Sequence, residues 1–199
     1  PRVMRIVLDK EIEERIAKEL KKKKWIVLNP QANWVSKQWP EEYWQQLIKR
    51  ILQEKRFKKY SIAVIGTAEG KEATEQLIAP FQKSQKSNQE KKRIENWCSK
   101  WSLKELVAVL KHAALLVTTD TGPMHIALAM KTKTIGLFGV TNPDILVSEA
   151  ENLEIVSSYS QCLKKFRFNH NNEPPDWGQS CIKKIPVEEV SAAVEKMLQ

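Results

Sequence analysis

Short apolar runs alternate with amphipathic helical segments along most of the chain. The apolar runs occupy residues 25–29, 61–66, 93–97, 114–119, 134–138 and 153–156. Most are apolar throughout rather than alternating, which is typical of strands covered by helices on both faces. Strands separated by helices pair in parallel through right-handed crossovers. The pattern therefore predicts an α/β fold, a three-layer doubly wound parallel sheet.

Helix signals fall between these runs. Pro40, followed by two glutamates, begins a helix, since proline fits the first turn and carboxylates favour the positive end of the helix dipole. Ser102 and Glu105 have the spacing of a capping box. The predicted helices span residues 40–52, 69–78, 102–112, 124–130 and 186–198. Residues 81–92 are predicted to be an exposed loop, and residues 157–182 to be mostly loop.

The first 24 residues differ from the rest of the chain. Ile12, Ile16 and Leu20 have helical spacing and predict one amphipathic helix that leads into the sheet. We therefore divide the chain into a connecting segment, residues 1–24, and a single domain, residues 25–199.

Composition excludes several classes of protein. With 199 residues and 42% hydrophobic content the chain is globular, and no apolar run approaches the ~20 residues that cross a bilayer. Cys98, Cys162 and Cys181 are an odd number without a Cys-x-x-Cys pair, so neither a disulfide framework nor a structural zinc site is expected. A reduced, cytoplasmic protein is the expectation.

The net charge of +9 raises the question of a polyanionic partner. The excess lies in two lysine-rich patches, residues 21–24 and 91–93, without any zinc-finger, helix-turn-helix or RNA-reading pattern. Nucleic acid is therefore not the expected partner. The simpler interpretation is that these lysines lie on solvent-exposed faces of the protein. If the basic face is functional, we expect its partner to be an anionic membrane surface or an anionic acceptor.

Ligands of doubly wound sheets bind beyond the carboxyl ends of the strands. There the segment 118–125 combines Asp120, Thr121 and Gly122 at a strand-to-helix turn, with His125 in the first helical turn. A helix amino end with free N–H groups favours a phosphate, and glycine lets the backbone approach it closely. The alternative is a plain tight turn with Asp120 as a helix cap.

Three further loops offer candidate contacts. Lys37 follows the first strand and can pair with a diphosphate; otherwise it is a solvated lysine. Glu69 follows the second strand and can accept bonds from sugar or ribose hydroxyls; otherwise it caps a helix. Trp101 can stack on a nucleobase, although most of the seven tryptophans belong in the core.

Other phosphate and metal motifs are missing. The sequence contains no Gly-x-Gly-x-x-Gly, no P-loop, no Gly-x-Ser-x-Gly and no Asp-x-Asp pair to hold a divalent metal on a nucleotide. A diphosphate would depend on Lys37 and the helix end. Because a lysine–phosphate pair is worth up to about 4 kcal/mol and a helix dipole about 0.3–2 kcal/mol, Lys37 would contribute more.

Four ordered segments together resemble one family. They are Asn-Pro-x-Ala-x3-Ser-Lys-x-Trp-Pro at 29–40, Ser-Leu-x-Glu-Leu at 102–106, Asp-Thr-Gly-Pro-Met-His-x-Ala at 120–127 and Leu-Phe-Gly-x-Thr-x-Pro at 137–143. Their order and spacing are similar to those of the lipopolysaccharide heptosyltransferases, glycosyltransferase family nine. The resemblance runs from about residue 25 to the last helix.

The resemblance implies a Rossmann-like domain that is the C-terminal half of a GT-B glycosyltransferase. This half binds the nucleotide-sugar donor, typically ADP-heptose, for an inverting, metal-independent transfer to the lipid-anchored lipopolysaccharide core. It implies a cytoplasmic enzyme, with peripheral contact to the inner membrane as an option. The resemblance assigns no cofactor.

By motif position the resemblance assigns donor-binding roles to nine residues. Lys37 would hold the diphosphate, and Trp101 and Ser102 would lie near the base. The residues around the diphosphate and sugar would be Asp120, Thr121, Gly122 and His125, together with Asn33 and Glu69.

Three residues depart from the family pattern: Gln31 stands for the usual glycine, Val140 for a proline and Asn142 for an aspartate or serine. The chain also starts where an interdomain connection would be expected, so the acceptor domain and its catalytic base are expected to lie outside it. The alternatives are a non-catalytic nucleotide-sugar binding module and, less favoured, a basic nucleic-acid-associated domain.

Overall fold

A computed structural model describes residues 6–21, 23–84, 93–147, 150–162 and 179–199. Six parallel strands form one sheet in the order β3-β2-β1-β4-β5-β6. The strands are β1 (Lys24–Asn29), β2 (Tyr60–Val64), β3 (Ile94–Asn96), β4 (Leu115–Thr119), β5 (Thr134–Phe138) and β6 (Leu153–Ser157). All six occur where the apolar runs predicted them, with bounds that differ by at most two residues.

Helices connect consecutive strands and cover the sheet. They are α1 (Lys10–Leu20), α2 (Glu41–Gln53), α3 (Lys71–Ser84), α4 (Leu103–His112), α5 (Gly122–Ala129), α6 (Pro143–Val147), α7 (Tyr159–Cys162), α8 (Gln179–Ile182) and α9 (Val187–Leu198). Two 3-10 turns lie at Val35–Lys37 and Lys55–Phe57. The predicted capping box forms at α4, where Glu105 N–H donates to the Ser102 hydroxyl and Ser102 N–H donates to the Glu105 carboxylate.

Two apolar layers enclose the sheet because successive strand residues point to opposite faces. On one face Ile26 and Leu28 of β1 pack with Trp44 and other residues of α2 and α9. On the opposite face Trp25 and Val27 pack with residues of α1 and α4. This confirms the three-layer doubly wound α/β fold.

The strand order decides where a ligand can bind. The chain turns to one side of β1 to form β2 and β3, and to the other side to form β4, β5 and β6. The crevice therefore opens between the carboxyl ends of β1 and β4, where Asn29 is paired in register with Thr118.

The predicted lead-in helix is α1. Ile16 and Leu20 are buried and belong to the same apolar cluster as Trp25 and Val27 of the sheet. The helix thus packs on the domain and forms part of its outer layer.

The structure differs from two expectations about secondary structure. Helix α3 continues to Ser84, although residues 81–92 were expected to be a loop, because Phe81 packs against the core and this contact outweighs the effect of Pro80. Residues 85–92 lie outside the described residues. The short helices α6, α7 and α8 were not predicted, since segments of four or five residues carry no helical period.

The cysteine expectation needs a correction. Cys162 at the end of α7 and Cys181 in α8 form a disulfide, with a Cα–Cα distance of 5.7 Å, while Cys98 is free and buried. Spacing along the chain could not predict this pair because the packing of α7 and α8 brings the two residues together.

Candidate functional site

A cleft of about 880 Å³ opens at the carboxyl ends of the central strands. It is bounded by the loops that follow β1, β2 and β4 and by the start of α3. Six of the nine residues predicted to bind a donor line it: Asn33, Lys37, Glu69, Asp120, Thr121 and Gly122.

Asn29, the last residue of β1, holds the floor of this cleft together. Its buried carboxamide donates hydrogen bonds to the hydroxyls of Thr118, at 3.0 Å, and Thr121, at 2.9 Å. The Thr121 hydroxyl also lies 3.3 Å from the Thr119 carbonyl. Because its hydroxyl is turned into this network, Thr121 has mainly its backbone to offer a ligand.

Lys37 and Asp120 form an ion pair across the cleft. The Lys37 Nζ atom lies 2.6 Å from Asp120 Oδ2 and 3.4 Å from the Asp120 carbonyl oxygen. Both side chains are largely shielded, with exposed fractions of 18% and 7%. The shielding from water strengthens the interaction and holds the ammonium group at the amino end of α5.

His125 approaches the same carboxylate from α5. Its Nε2 atom lies 3.7 Å from Asp120 Oδ1, and 37% of its side chain is exposed. His125 is not among the described residues that line the cleft, but Asp120 connects it to Lys37. A carboxylate between the Lys37 ammonium group and the His125 imidazole is placed to orient both groups towards an anionic ligand.

The electrostatics of Asp120 keep its carboxylate ionised. Burial raises the pKa of Asp120, but the interactions with His125 and Lys37 outweigh burial and leave the pKa below its ordinary value. The Asp120 carboxylate is therefore ionised at neutral pH.

The amino end of α5 is open to the cleft. Thr121 precedes the helix without a side-chain cap, and Pro123 occupies its first turn. A Cβ atom added at Gly122 would meet nothing within 4 Å. The backbone there faces empty space, so an anion can approach the helix end without a side chain in the way.

Glu69 lies on the opposite wall, in the loop after β2. Hydrogen bonds from its own backbone N–H and from the Thr67 hydroxyl lower the pKa of Glu69 below its ordinary value. An ionised carboxylate on this wall can accept hydrogen bonds from ligand hydroxyls.

Trp101 and Ser102 are placed differently from the other predicted residues. Neither is among the described residues that line the cleft. The Trp101 ring packs edge-on against Trp97, with centroids 5.6 Å apart, and the Ser102 hydroxyl caps α4. Leu106, one turn into α4, does line the cleft.

Two residues that line the cleft, Trp34 and Gln31, were not predicted to bind a ligand. Trp34 places its ring 4.8 Å from Lys37 Nζ, so the lysine lies over an aromatic face. Gln31, noted only as a departure from a family pattern, lies between the loops after β1 and β2 and bonds Thr67. A polar side chain two residues after a strand was the available signal for Gln31.

The C-terminal elements support the Lys37 loop. The 3-10 turn that carries Lys37 packs against α8, and the indole N–H of Trp39 donates to the Ile185 carbonyl at 3.0 Å. These contacts anchor the loop that carries Lys37 to C-terminal residues that are distant in sequence, and they limit the movement of the lysine.

The basic patches have specific contacts where the structure describes them. Arg93 donates to the carbonyls of Leu52, Phe57 and Tyr60, and Lys23 pairs with Glu95. Lys22, Lys91 and Lys92 lie outside the described residues. Within the described ranges no helix is long and apolar enough to cross a membrane, and no three acidic, histidine or cysteine side chains cluster as metal ligands do.

A doubly wound sheet with a lysine and a helix amino end at its switch point defines a domain suited to nucleotide-type ligands. The family model "Glycosyltransferase family 9 (heptosyltransferase)" matches residues 3–175. The chain belongs to this family, as the four sequence segments indicated.

One similar protein is lipopolysaccharide heptosyltransferase 2 of Salmonella typhimurium. It is 24% identical over 136 residues, which are 65% of this chain and 35% of that protein. The chain therefore matches only about a third of the length of this relative.

Two similar solved structures agree with the fold. Escherichia coli ADP-heptose LPS heptosyltransferase II has a TM-score of 0.72 at 16% identity, over 98% of this chain and 53% of that chain. E. coli heptosyltransferase WaaC with ADP-2-deoxy-2-fluoro heptose has a TM-score of 0.65 at 19% identity, over 92% and 47%. The fold is that of about half of each of these structures.

Proposed function

We propose that this chain is the donor-binding domain of a heptosyltransferase-like enzyme and that its cleft holds a nucleotide sugar, with ADP-heptose as the first candidate. The observation that carries the proposal is the meeting of Lys37, Asp120 and the open amino end of α5 at the switch point. Membership of the family and the ligand bound in the similar WaaC structure, ADP-2-deoxy-2-fluoro heptose, support the choice.

The donor's diphosphate would lie between Lys37 and the α5 amino end. Lys37 brings one full positive charge, and the backbone N–H groups near Gly122 bring the helix dipole. Asp120 would orient Lys37 and His125 rather than face the phosphates, because its carboxylate is 7% exposed. Metal ions would not be required for this binding.

Transfer of the sugar moves negative charge onto the leaving diphosphate. The acceptor hydroxyl oxygen bonds the anomeric carbon from the face opposite the nucleotide, and the bond from that carbon to the diphosphate oxygen breaks. The departing nucleotide keeps the electron pair, which Lys37 and the helix end would stabilise. We assign the base that takes the hydroxyl proton to an acceptor-binding half outside this chain.

Glu69 and Asn33 would contact hydroxyls of the ribose or the transferred sugar, because both line the cleft beside the proposed diphosphate site. We keep Trp101 and Ser102 as proposed neighbours of the nucleobase of the donor. This requires the nucleobase to extend along α4 towards them. The acceptor would be a lipopolysaccharide core, and the site of action the cytoplasmic side of the inner membrane, through peripheral contact.

Isothermal titration calorimetry of the chain with ADP, UDP and duplex DNA tests this function, in parallel samples with EDTA and with Mg²⁺. We expect ADP to bind, UDP to bind more weakly, and EDTA to leave the ADP affinity unchanged. DNA binding with a steep salt dependence and no nucleotide binding would overturn the proposal. Binding of ADP only with Mg²⁺ would overturn its metal-independent part.

A non-catalytic nucleotide-sugar module is the second candidate. The residues that line the described cleft all belong to this domain, so a nucleotide sugar could bind there without being transferred. Mixing the chain with an acceptor-binding half from a relative distinguishes the two: sugar transfer to a lipopolysaccharide core favours the enzyme, and nucleotide binding without transfer favours the module.

A further inference from the structure

Gln31 occupies a space that two glycines leave open. Gln31 is the second residue of the loop after β1. Its carboxamide lies between Gly66 and Gly70 of the loop after β2. An ideal Cβ at Gly66 would lie 2.2 Å from Gln31 Nε2, and one at Gly70 would lie 1.8 Å from it. Any side chain at either glycine would therefore displace the carboxamide.

The carboxamide is bonded on both sides. Its Oε1 atom accepts the backbone N–H of Thr67 at 2.9 Å, and the Thr67 hydroxyl lies at 3.3 Å. Its Nε2 atom lies 3.5 Å from the Thr74 hydroxyl and 3.6 Å from Cys98 Sγ. The short bond to Thr67 is the strongest of these, so Gln31 chiefly ties the first loop to the second.

Thr67 connects Gln31 to Glu69. Its hydroxyl donates to the Glu69 carboxylate, which lines the donor cleft. The loop from 66 to 70 contains two glycines, and such a backbone is flexible unless other contacts order it. The bond from Thr67 to Gln31 is a side-chain contact that orders this loop from the neighbouring loop after β1.

We propose that Gln31 is a positioning residue that holds the 66–70 loop so that Glu69 faces the hydroxyls of the bound nucleotide. The proposal rests on the proposed function for its ligand, but its structural part does not depend on the ligand. The ligand group that Glu69 would contact is a vicinal diol of the ribose or of the transferred sugar. A glycine at position 31 would leave this loop without the contact.

Two substitutions separate hydrogen bonding from space filling. Gln31→Met keeps the length of the side chain but cannot accept the Thr67 N–H, and Gln31→Glu keeps an acceptor there. Gln53→Met, at an exposed glutamine at the end of α2, is the matched control. The melting temperature of each variant reports whether the fold is intact.

The first measurement is amide hydrogen exchange of residues 66–70 without ligand. We expect Gln31→Met to speed exchange at Thr67 at least tenfold, Gln31→Glu to stay within about threefold of the parent, and Gln53→Met to match it. Equal exchange in the parent and Gln31→Met would overturn the ordering of the loop by Gln31.

The second measurement compares Kd values for ADP and 2′-deoxy-ADP, which differ by one hydroxyl of the ribose diol. We expect the parent to prefer ADP about tenfold and Gln31→Met to lose most of this preference, while its affinity for 2′-deoxy-ADP stays similar. A preference unchanged in Gln31→Met would overturn the positioning role. A parent that binds neither nucleotide would overturn the proposed function, and the exchange result would still decide the ordering of the loop.

A third variant tests the shared space. Gly70→Ala places a methyl group where the carboxamide lies and should reproduce the faster exchange of Gln31→Met. Because both changes break one contact, their effects should not add in the double variant. Additive effects would show that the two residues act independently and would contradict the proposal.

Discussion

The ammonium group of Lys37 lies 2.6 Å from the Asp120 carboxylate, although 83 residues separate the two in the chain. Lys37 belongs to the loop after β1 and Asp120 to the turn after β4, and these two strands are neighbours in the sheet. The pair therefore marks the switch point of the fold and holds the Lys37 ammonium group near the amino end of α5.

Removing this charge should weaken nucleotide binding. Lys37→Ala should raise the Kd for ADP about 10- to 100-fold, because a hydrogen bond to a charged group contributes about 1.5–3 kcal/mol. Lys49→Ala, at an exposed lysine of α2, is the control and should bind as the parent does. Calorimetry measures both, and equal affinities in the parent and Lys37→Ala would remove Lys37 from the site.

Acid should remove the stability that Asp120 contributes. Its folded-state pKa is lowered, so the contribution is complete at neutral pH and is lost as the pH falls from about 3.9, the ordinary value for aspartate, through the folded-state pKa. The free energy of unfolding of the parent should exceed that of Asp120→Asn at pH 7, and by less at pH 3. Urea unfolding measures this gap.

The control for acidification is Asp144→Asn, at an exposed aspartate of α6. Its unfolding free energy should track that of the parent at both pH values. A gap for Asp120→Asn that stays constant or widens towards acid would contradict the assigned direction of the pKa shift.

The buried side-chain amide of Asn29 should contribute more to the free energy of unfolding than the exposed side chain of Asn33. Asn29→Ala should lower the free energy of unfolding by about 1–3 kcal/mol, because the hydroxyls of Thr118 and Thr121 lose a buried donor. Asn33→Ala, at an exposed position, should change it by less than about 0.5 kcal/mol. Similar urea midpoints for the two variants would refute the role of this network.

The disulfide should stabilise the C-terminal elements. A bridge between Cys162 and Cys181, 19 residues apart, should add about 3 kcal/mol through the restricted unfolded chain. A reductant should therefore destabilise the parent but leave Cys162→Ser unchanged. Alkylation of the unfolded protein should modify one cysteine before reduction and three after it; three before reduction would exclude the bridge.

The apolar runs were enough to predict the strands, because a strand buried on both faces needs several consecutive apolar residues and the loops between strands do not. The capping box of α4 was equally readable, since it depends on residues 102–105 alone. Family membership followed from four short segments in order. Helices α6, α7 and α8 were not readable, because contacts of Val147 and Cys181 with distant residues stabilise them rather than local propensity.

The sequence alone determined the layered fold, the family and which residue types lie at strand ends, because each of these depends on local pattern. The tertiary structure alone decided which of those residues meet. It brought Lys37 to Asp120, turned the Thr121 hydroxyl inward to Asn29, packed Trp101 against Trp97, and set Gln31 between two glycines. The reason is physical: strand order and the packing of loops across the crevice set these distances, and neither is encoded in the spacing along one segment.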